Sequence, residues 1–125
     1  MLLKCLKNKT LKATGKLTNS DVFVVCVPTP FKDDYSPDLS YVINSINTIL
    51  DYLRPGNLLI MESTIPTGTI NLLEDLILTK SKFIKNKSEL NLAYCPERTF
   101  PSNVVHELIY NKRIVGGSTK KAAEK

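Results

Sequence analysis

Residues 94–101, "YCPERTFP", set a carboxylate, Glu97, beside a guanidinium, Arg98, where the apolar run 90–94 gives out. A carboxylate held in fixed geometry can orient a water or accept a proton. A planar guanidinium can grip substrate oxygens or phosphate through paired N–H bonds. The bland alternative is that Pro96 ends a strand and both charges face water. Two hydroxyls stand at comparable places. Thr29 closes the apolar run "DVFVVCVPTP" (21–30) between Pro28 and Pro30, and Thr64 follows Glu62 and Ser63 where the run 57–62 ends. Thr64 is also a candidate helix cap, its hydroxyl satisfying a free N–H of the helix that follows.

The other chemically versatile residues argue for less. The three cysteines, Cys5, Cys26 and Cys95, are odd in number and widely spaced, which suits neither a zinc site nor a disulfide framework. Cys26 and Cys95 lie in apolar runs and read as small core residues, with thiols that stay inert unless their pKa is lowered. His106, the only histidine, has no neighbours at metal-ligand spacing and reads as a surface or packing residue. No metal site is expected.

These residues need elements to position them. "DVFVVCVPTP" is β-branched and apolar without polar alternation, the pattern of a parallel strand covered on both faces. Leu39, Val42, Ile43, Ile46, Ile49, Leu50 and Leu53 fall at helical spacing, with Ser36 as an N-cap, Pro37 at the first helical position, and Pro55 and Gly56 as the stop. Further strands are expected at 57–62, 90–94 and 113–117. Between them come a helix through Ile70, Leu73, Leu76 and Ile77, and a short helix at 103–110. Ser118 is expected to cap a last helix. Strands alternating with helices give an α/β fold, a partial Rossmann-like domain with a mostly parallel sheet and flanking helices. Ligands of such sheets collect beyond the carboxyl ends of the strands. "VPTP", "ESTIPTG" and "CPERTFP" all fall there.

Length and composition narrow the classes. The 125 residues, 42% hydrophobic, suffice for one domain with a real core. No apolar run approaches the roughly 20 residues of a membrane span, and "MLLKCLKNKTLK" has no secretory h-region. The expectation is a cytoplasmic protein without a membrane partner. The net charge of +5 comes mostly from dispersed lysines, and the densest group, Lys80, Lys82, Lys85 and Lys87, has a single aromatic, Phe83, within it. That disfavours nucleic acid and leaves a phosphate-bearing small ligand open.

Four segments in register carry a family resemblance: "DVFVVCVPTP", "SPDLSYV", "GNLLIMESTIPTGT" and "YCPERTFPSNVVHELIYNKRIVGG". Together they resemble the nucleotide-sugar 6-dehydrogenases, over residues from about 11 to about 119. Arg98 after the Pro-Glu pair and Pro101 four residues past Glu97 are most similar to the UDP-N-acetyl-D-mannosamine dehydrogenase branch. The resemblance implies NAD as cofactor and a UDP-sugar as substrate, whose C6 alcohol is oxidised twice to the uronate through a thioester on a downstream cysteine. It implies that Thr29 contacts NAD, that Thr64 lies against the nicotinamide and the catalytic water, and that Glu97 positions or deprotonates that water near the sugar. Arg98 would hydrogen-bond the substrate. The family is homodimeric through a central helical region. No "GxGxxG" occurs in the chain. Residues 1–125 are therefore expected to be the C-terminal part of an NAD-binding domain. On that expectation the Gly-rich first βαβ unit, the dimerisation region and the sugar-nucleotide domain are missing, and the chain by itself is inactive. The alternatives are a UDP-glucose 6-dehydrogenase fragment and a non-catalytic nucleotide-binding fragment.

Overall fold

The computed structural model describes residues 2–100 and 102–125. A short helix, α1 (Leu2–Lys7), leads into irregular chain and then β1 (Val22–Val25). There follow α2 (Ser40–Ile49), β2 (Leu58–Met61), α3 (Thr69–Lys80), β3 (Asn91–Tyr94), α4 (Val104–Tyr110), β4 (Gly116–Gly117) and α5 (Lys120–Glu124). The sheet runs β1-β2-β3-β4, with β1, β2 and β3 parallel. This is the α/β architecture that the alternating runs imply.

The core lies on one face of the sheet. The apolar stripe of α2 places Val42, Ile46 and Ile49 against Phe23, Val25, Leu59, Met61 and Leu92, and α3 adds Leu73 and Ile77. The opposite face is thinly covered. There α5 sets Ala122, 2% exposed, against the β3–β4 end. Gly117 makes that approach possible, since a Cβ there would stand 2.5 Å from the Ala123 nitrogen.

Local structure departs from the sequence reading in five places. First, β1 is not covered on both faces. Phe23 and Val25 are buried, but Val22 and Val24 are 48% and 52% exposed, because β1 is the edge strand and both long helices lie on one side. Second, Ser36 and Pro37 do not start α2. Ser36 Oγ turns back to donate to Asp34 Oδ1 at 2.6 Å, and Pro37 pairs with Phe31 in an isolated bridge. The helix entry falls to Asp38, whose Oδ1 accepts the Ser40 N–H at 2.9 Å. Third, Thr64 does not cap α3. The residue before that helix is Gly68, in the left-handed region at φ +89°, where other residues are strained. Fourth, β4 is a two-residue strand antiparallel to β3; the chain returns through α4, which buries none of its own side chains, rather than through a packed crossover. Fifth, Thr119 and not Ser118 caps α5: its Oγ1 accepts the Ala122 N–H at 3.1 Å. Ser118 instead extends the sheet, its N–H donating to Leu92 O.

The register decides where the chemistry goes. Val25, Met61 and Tyr94 are level across three strands. The ladder continues past them, with the Glu62 N–H donating to Val25 O and the Cys95 N–H to Met61 O. Cys26, Glu62 and Cys95 therefore leave the sheet side by side at its carboxyl edge. By the two-residue period of a strand they share the face of Val24, Ile60 and Ala93.

Candidate functional site

Three segments leave the parallel strands at one edge, and Ser63 ties two of them together. Its Oγ accepts the Val27 N–H at 2.7 Å and donates to Val27 O at 2.8 Å. The segment carrying Pro28 and Thr29 is thereby held against the end of β2. Ser63 is thus a structural anchor, its hydroxyl committed to backbone.

The third segment brings Glu97. Its Oε1 accepts the backbone N–H groups of Arg98 and Thr99 at 2.7 and 3.0 Å. Its Oε2 accepts from Arg113 NH1 at 3.0 Å. Desolvation pushes the carboxyl up, but the Arg98 N–H, the Arg113 charge and the Thr99 N–H outweigh it and hold Glu97 below the usual carboxylate range. Arg113 also pairs through NH2 with Glu62 Oε1 and donates from Nε to Cys95 Sγ at 3.3 Å. The Cys95 hydrogen bond and the Glu62 carboxylate raise the guanidinium further, so it stays charged.

Thr29, Thr64 and Glu97 line one open cleft of about 430 Å³, together with Glu62, Ser63 and Pro28. The sequence reading of these three residues as neighbours thus has a geometric counterpart. Thr29 is half-buried and Thr64 exposed. Among the described residues neither threonine side chain makes a hydrogen bond within the protein, so both hydroxyls face the cleft unengaged. Arg98 is exposed and is not part of the cleft wall. Pro101, the second half of the "PER…P" pattern, lies outside the described residues.

The cysteines divide. Cys95 is buried, 9% exposed, as read from sequence. Cys26 is exposed and lines the cleft, contrary to its reading as a core residue, because it sits on the uncovered face of the edge strand. Its Sγ donates to Glu62 Oε2 at 3.2 Å, and desolvation and that carboxylate push the thiol up. His106 is exposed on α4, its ring 4.5 Å from that of Tyr110. The sequence reading missed Arg113 and Glu62 as functional groups. The one signal for Arg113 was a lone charge opening an otherwise apolar run, "RIVGG".

The model of the NAD binding domain of the UDP-glucose/GDP-mannose dehydrogenase family matches residues 1–125. The chain belongs to this family. It is 41% identical over 99% of its length to the UDP-N-acetyl-D-mannosamine dehydrogenase of Methanococcus vannielii, of which it covers 28%. A solved structure of the Pyrococcus horikoshii UDP-D-ManNAc dehydrogenase superposes on 98% of the chain with a TM-score of 0.92 at 38% identity, again over 30% of that protein. A UDP-glucose dehydrogenase from Pyrobaculum islandicum shares the fold, at a TM-score of 0.72 and 22% identity. The chain thus spans less than a third of the relatives it matches. No described helix is long and apolar enough to cross a membrane.

NAD is the cofactor of the family's domain, and the cleft can be tested against it. Its volume lies in the range of roughly 300–1,000 Å³ typical of small-molecule clefts. Two carboxylates with one guanidinium between them leave the wall net negative. That repels a pyrophosphate and suits the cationic ring of oxidised nicotinamide. The two unengaged hydroxyls can bond a carboxamide. The residues present therefore fit the nicotinamide end of the cofactor.

Proposed function

We propose that this chain supplies the nicotinamide-facing wall of a dehydrogenase that oxidises the C6 alcohol of a UDP-N-acetylhexosamine, of the UDP-N-acetyl-D-mannosamine type, to the uronate. The observation that carries the reading is the convergence of Thr29, Thr64 and Glu97 on one cleft at the carboxyl edge of the parallel strands. The names of the relatives support the substrate class.

The bound NAD supplies the hydride acceptor. The chain's own residues orient and hold. Thr29 bonds the cofactor at the sheet edge. Thr64 reaches both the nicotinamide and the hydrolytic water. Glu97 fixes that water. Its Oε1 is filled by two backbone N–H groups, while Oε2 keeps a lone-pair direction beside the Arg113 bond. A carboxylate held this firmly orients its water with little reorganisation. Arg98 would meet substrate oxygens or phosphate from the rim. Such a dehydrogenase would work in the cytoplasm as a homodimer, with the sugar pocket and nucleophilic cysteine outside these residues.

Calorimetry with the 125-residue chain and NAD tests the reading. Binding should weaken in Thr29→Val and Thr64→Val, each by about fivefold to tenfold, the scale of one hydrogen bond. NAD binding that ignores both substitutions would overturn it. Activity can be read in a chimaera in which this chain replaces the matching region of the Pyrococcus horikoshii enzyme. NADH should form with UDP-N-acetyl-D-mannosamine and not with UDP-glucose.

A further inference from the structure

The geometry points to Arg113 as a positioning residue that ties the Glu62 and Glu97 carboxylates together and sets the plane of the Glu97 carboxylate. The assignment of a catalytic task to Glu97 rests on the function proposed above; the positioning itself rests on geometry alone.

Arg113 is far from the motif in sequence and arrives from another direction. It follows α4 and lies over the sheet face of Val24, Ile60 and Ala93, where it lines a second groove of about 270 Å³. From there the guanidinium spends its donors on three residues from two strand ends: Glu62 after β2, and Cys95 and Glu97 after β3. A lysine could not do this, since an ammonium is a point charge without a fork. Glu97 is fixed from both sides, by backbone N–H groups on Oε1 and by the guanidinium on Oε2, so its plane cannot rotate without breaking a charged bond.

Every ionisable group facing this cluster can be named. Cys26 follows β1, Glu62 follows β2, and Cys95 and Glu97 follow β3, while Glu107 of α4 bonds the loop between them and Arg113. Glu107 holds the intervening loop, accepting the Phe100 N–H at 2.9 Å. Lys125, from the end of α5, lines the same groove, but its Nζ donates to Gly56 O at the other end of β2, so among the described residues Arg113 is the one cation paired with Glu62 and Glu97. Without it, the Glu97 carboxylate loses the opposite charge beside it, which favours its protonated form. Arg113 thus keeps Glu97 a carboxylate, presented to the cleft as an acceptor.

The test is the titration of the Glu97 δ-carbon by NMR in the 125-residue chain labelled with [¹³C]glutamate, assigned through Glu97→Gln. In the unaltered chain Glu97 should titrate below the ordinary range. In Arg113→Met, Glu97 should move up by at least about one pH unit, the effect of losing an adjacent opposite charge. In Arg113→Lys the rise should be smaller. A Glu97 midpoint unchanged in a natively folded Arg113→Met chain would overturn the inference. Should that variant not give a native amide spectrum, Arg113→Gln, planar and uncharged, takes its place with the same two outcomes. In the chimaera, Arg113→Met should lower kcat by about 10–100-fold, the scale of removing a supporting partner. The acid limb of the kcat profile should move to higher pH, and KM for NAD should hold. A loss of kcat with an unmoved pH profile would reduce Arg113 to a structural tie. Failure of the chain to bind NAD, with the Glu97 titration responding to Arg113, would sink the proposed function and leave the positioning standing.

Discussion

Arg113 NH1 lies 3.0 Å from Glu97 Oε2, across sixteen residues of chain that include the whole of α4. The pair joins the motif that carries the family resemblance to a residue outside its Pro-Glu-Arg core. It also leaves Glu97 with three donors on two oxygens, so the carboxylate is presented in one orientation.

Glu97→Gln keeps the shape of the side chain and removes its charge. In the chimaera it should lower turnover by about 10² to 10⁴, the scale for one group that manages a proton or a water. NAD affinity should barely change. Unchanged turnover would return Glu97 to the status of a solvated charge at a strand end.

Glu97 also links stability to pH. Its carboxyl is held below the ordinary value of 4.5, so folding favours the ionised form. The resulting stabilisation is fully present above about pH 4.5, the unfolded-state value, and is lost as pH falls through the lowered folded value. Urea unfolding of the chain and of Glu97→Gln should therefore differ most at neutral pH and converge in acid. Midpoints that run parallel down to pH 3 would contradict the ion-pair geometry.

The free edge of β1 should make the chain self-associate. Val22 and Val24 are 48% and 52% exposed beside unpaired strand backbone, and α4 leaves Val105 and Ile109 68% and 67% exposed. Open edges with apolar faces pair with other chains. Val24→Lys, a charge on the uncovered face of that edge strand, should shift sedimentation toward monomer. A wild-type chain that already sediments as a monomer at tens of micromolar would refute this.

The 125-residue chain alone should produce no NADH from NAD and UDP-N-acetyl-D-mannosamine. The sugar pocket of the proposed dehydrogenase lies outside these residues, so the first oxidation lacks its substrate site, and neither Cys26 nor Cys95 is placed to serve the second. Cys26 is pushed up by desolvation and Glu62, and Cys95 is buried. Steady NADH formation proportional to chain concentration would bring Cys95 back as a nucleophile. Alkylation of Cys26 without loss of that activity would narrow the assignment to it.

The amino-acid sequence by itself determined the local order of this protein and the place of its chemistry. Apolar runs bounded by proline placed β1, β2 and β3, because strand burial is written in consecutive residues. The stripe from Val42 to Ile49 placed α2 for the same reason. Parallel strands put their carboxyl ends together, so Thr29, Thr64 and Glu97 were legible as one cluster before any coordinate. Tertiary structure decided what depends on residues far apart in the chain. It put Cys26 in the open by making β1 an edge. It reversed β4 because α4 buries nothing and the chain comes back beside β3. It moved the helix start to Ser40, whose N–H the Asp38 carboxylate accepts, while Ser36 is already bonded to Asp34. Above all, it swung Arg113 over the sheet to join Glu62 and Glu97. No local pattern encodes that contact, because it follows from the path of the chain between two strands and not from the residues at either end.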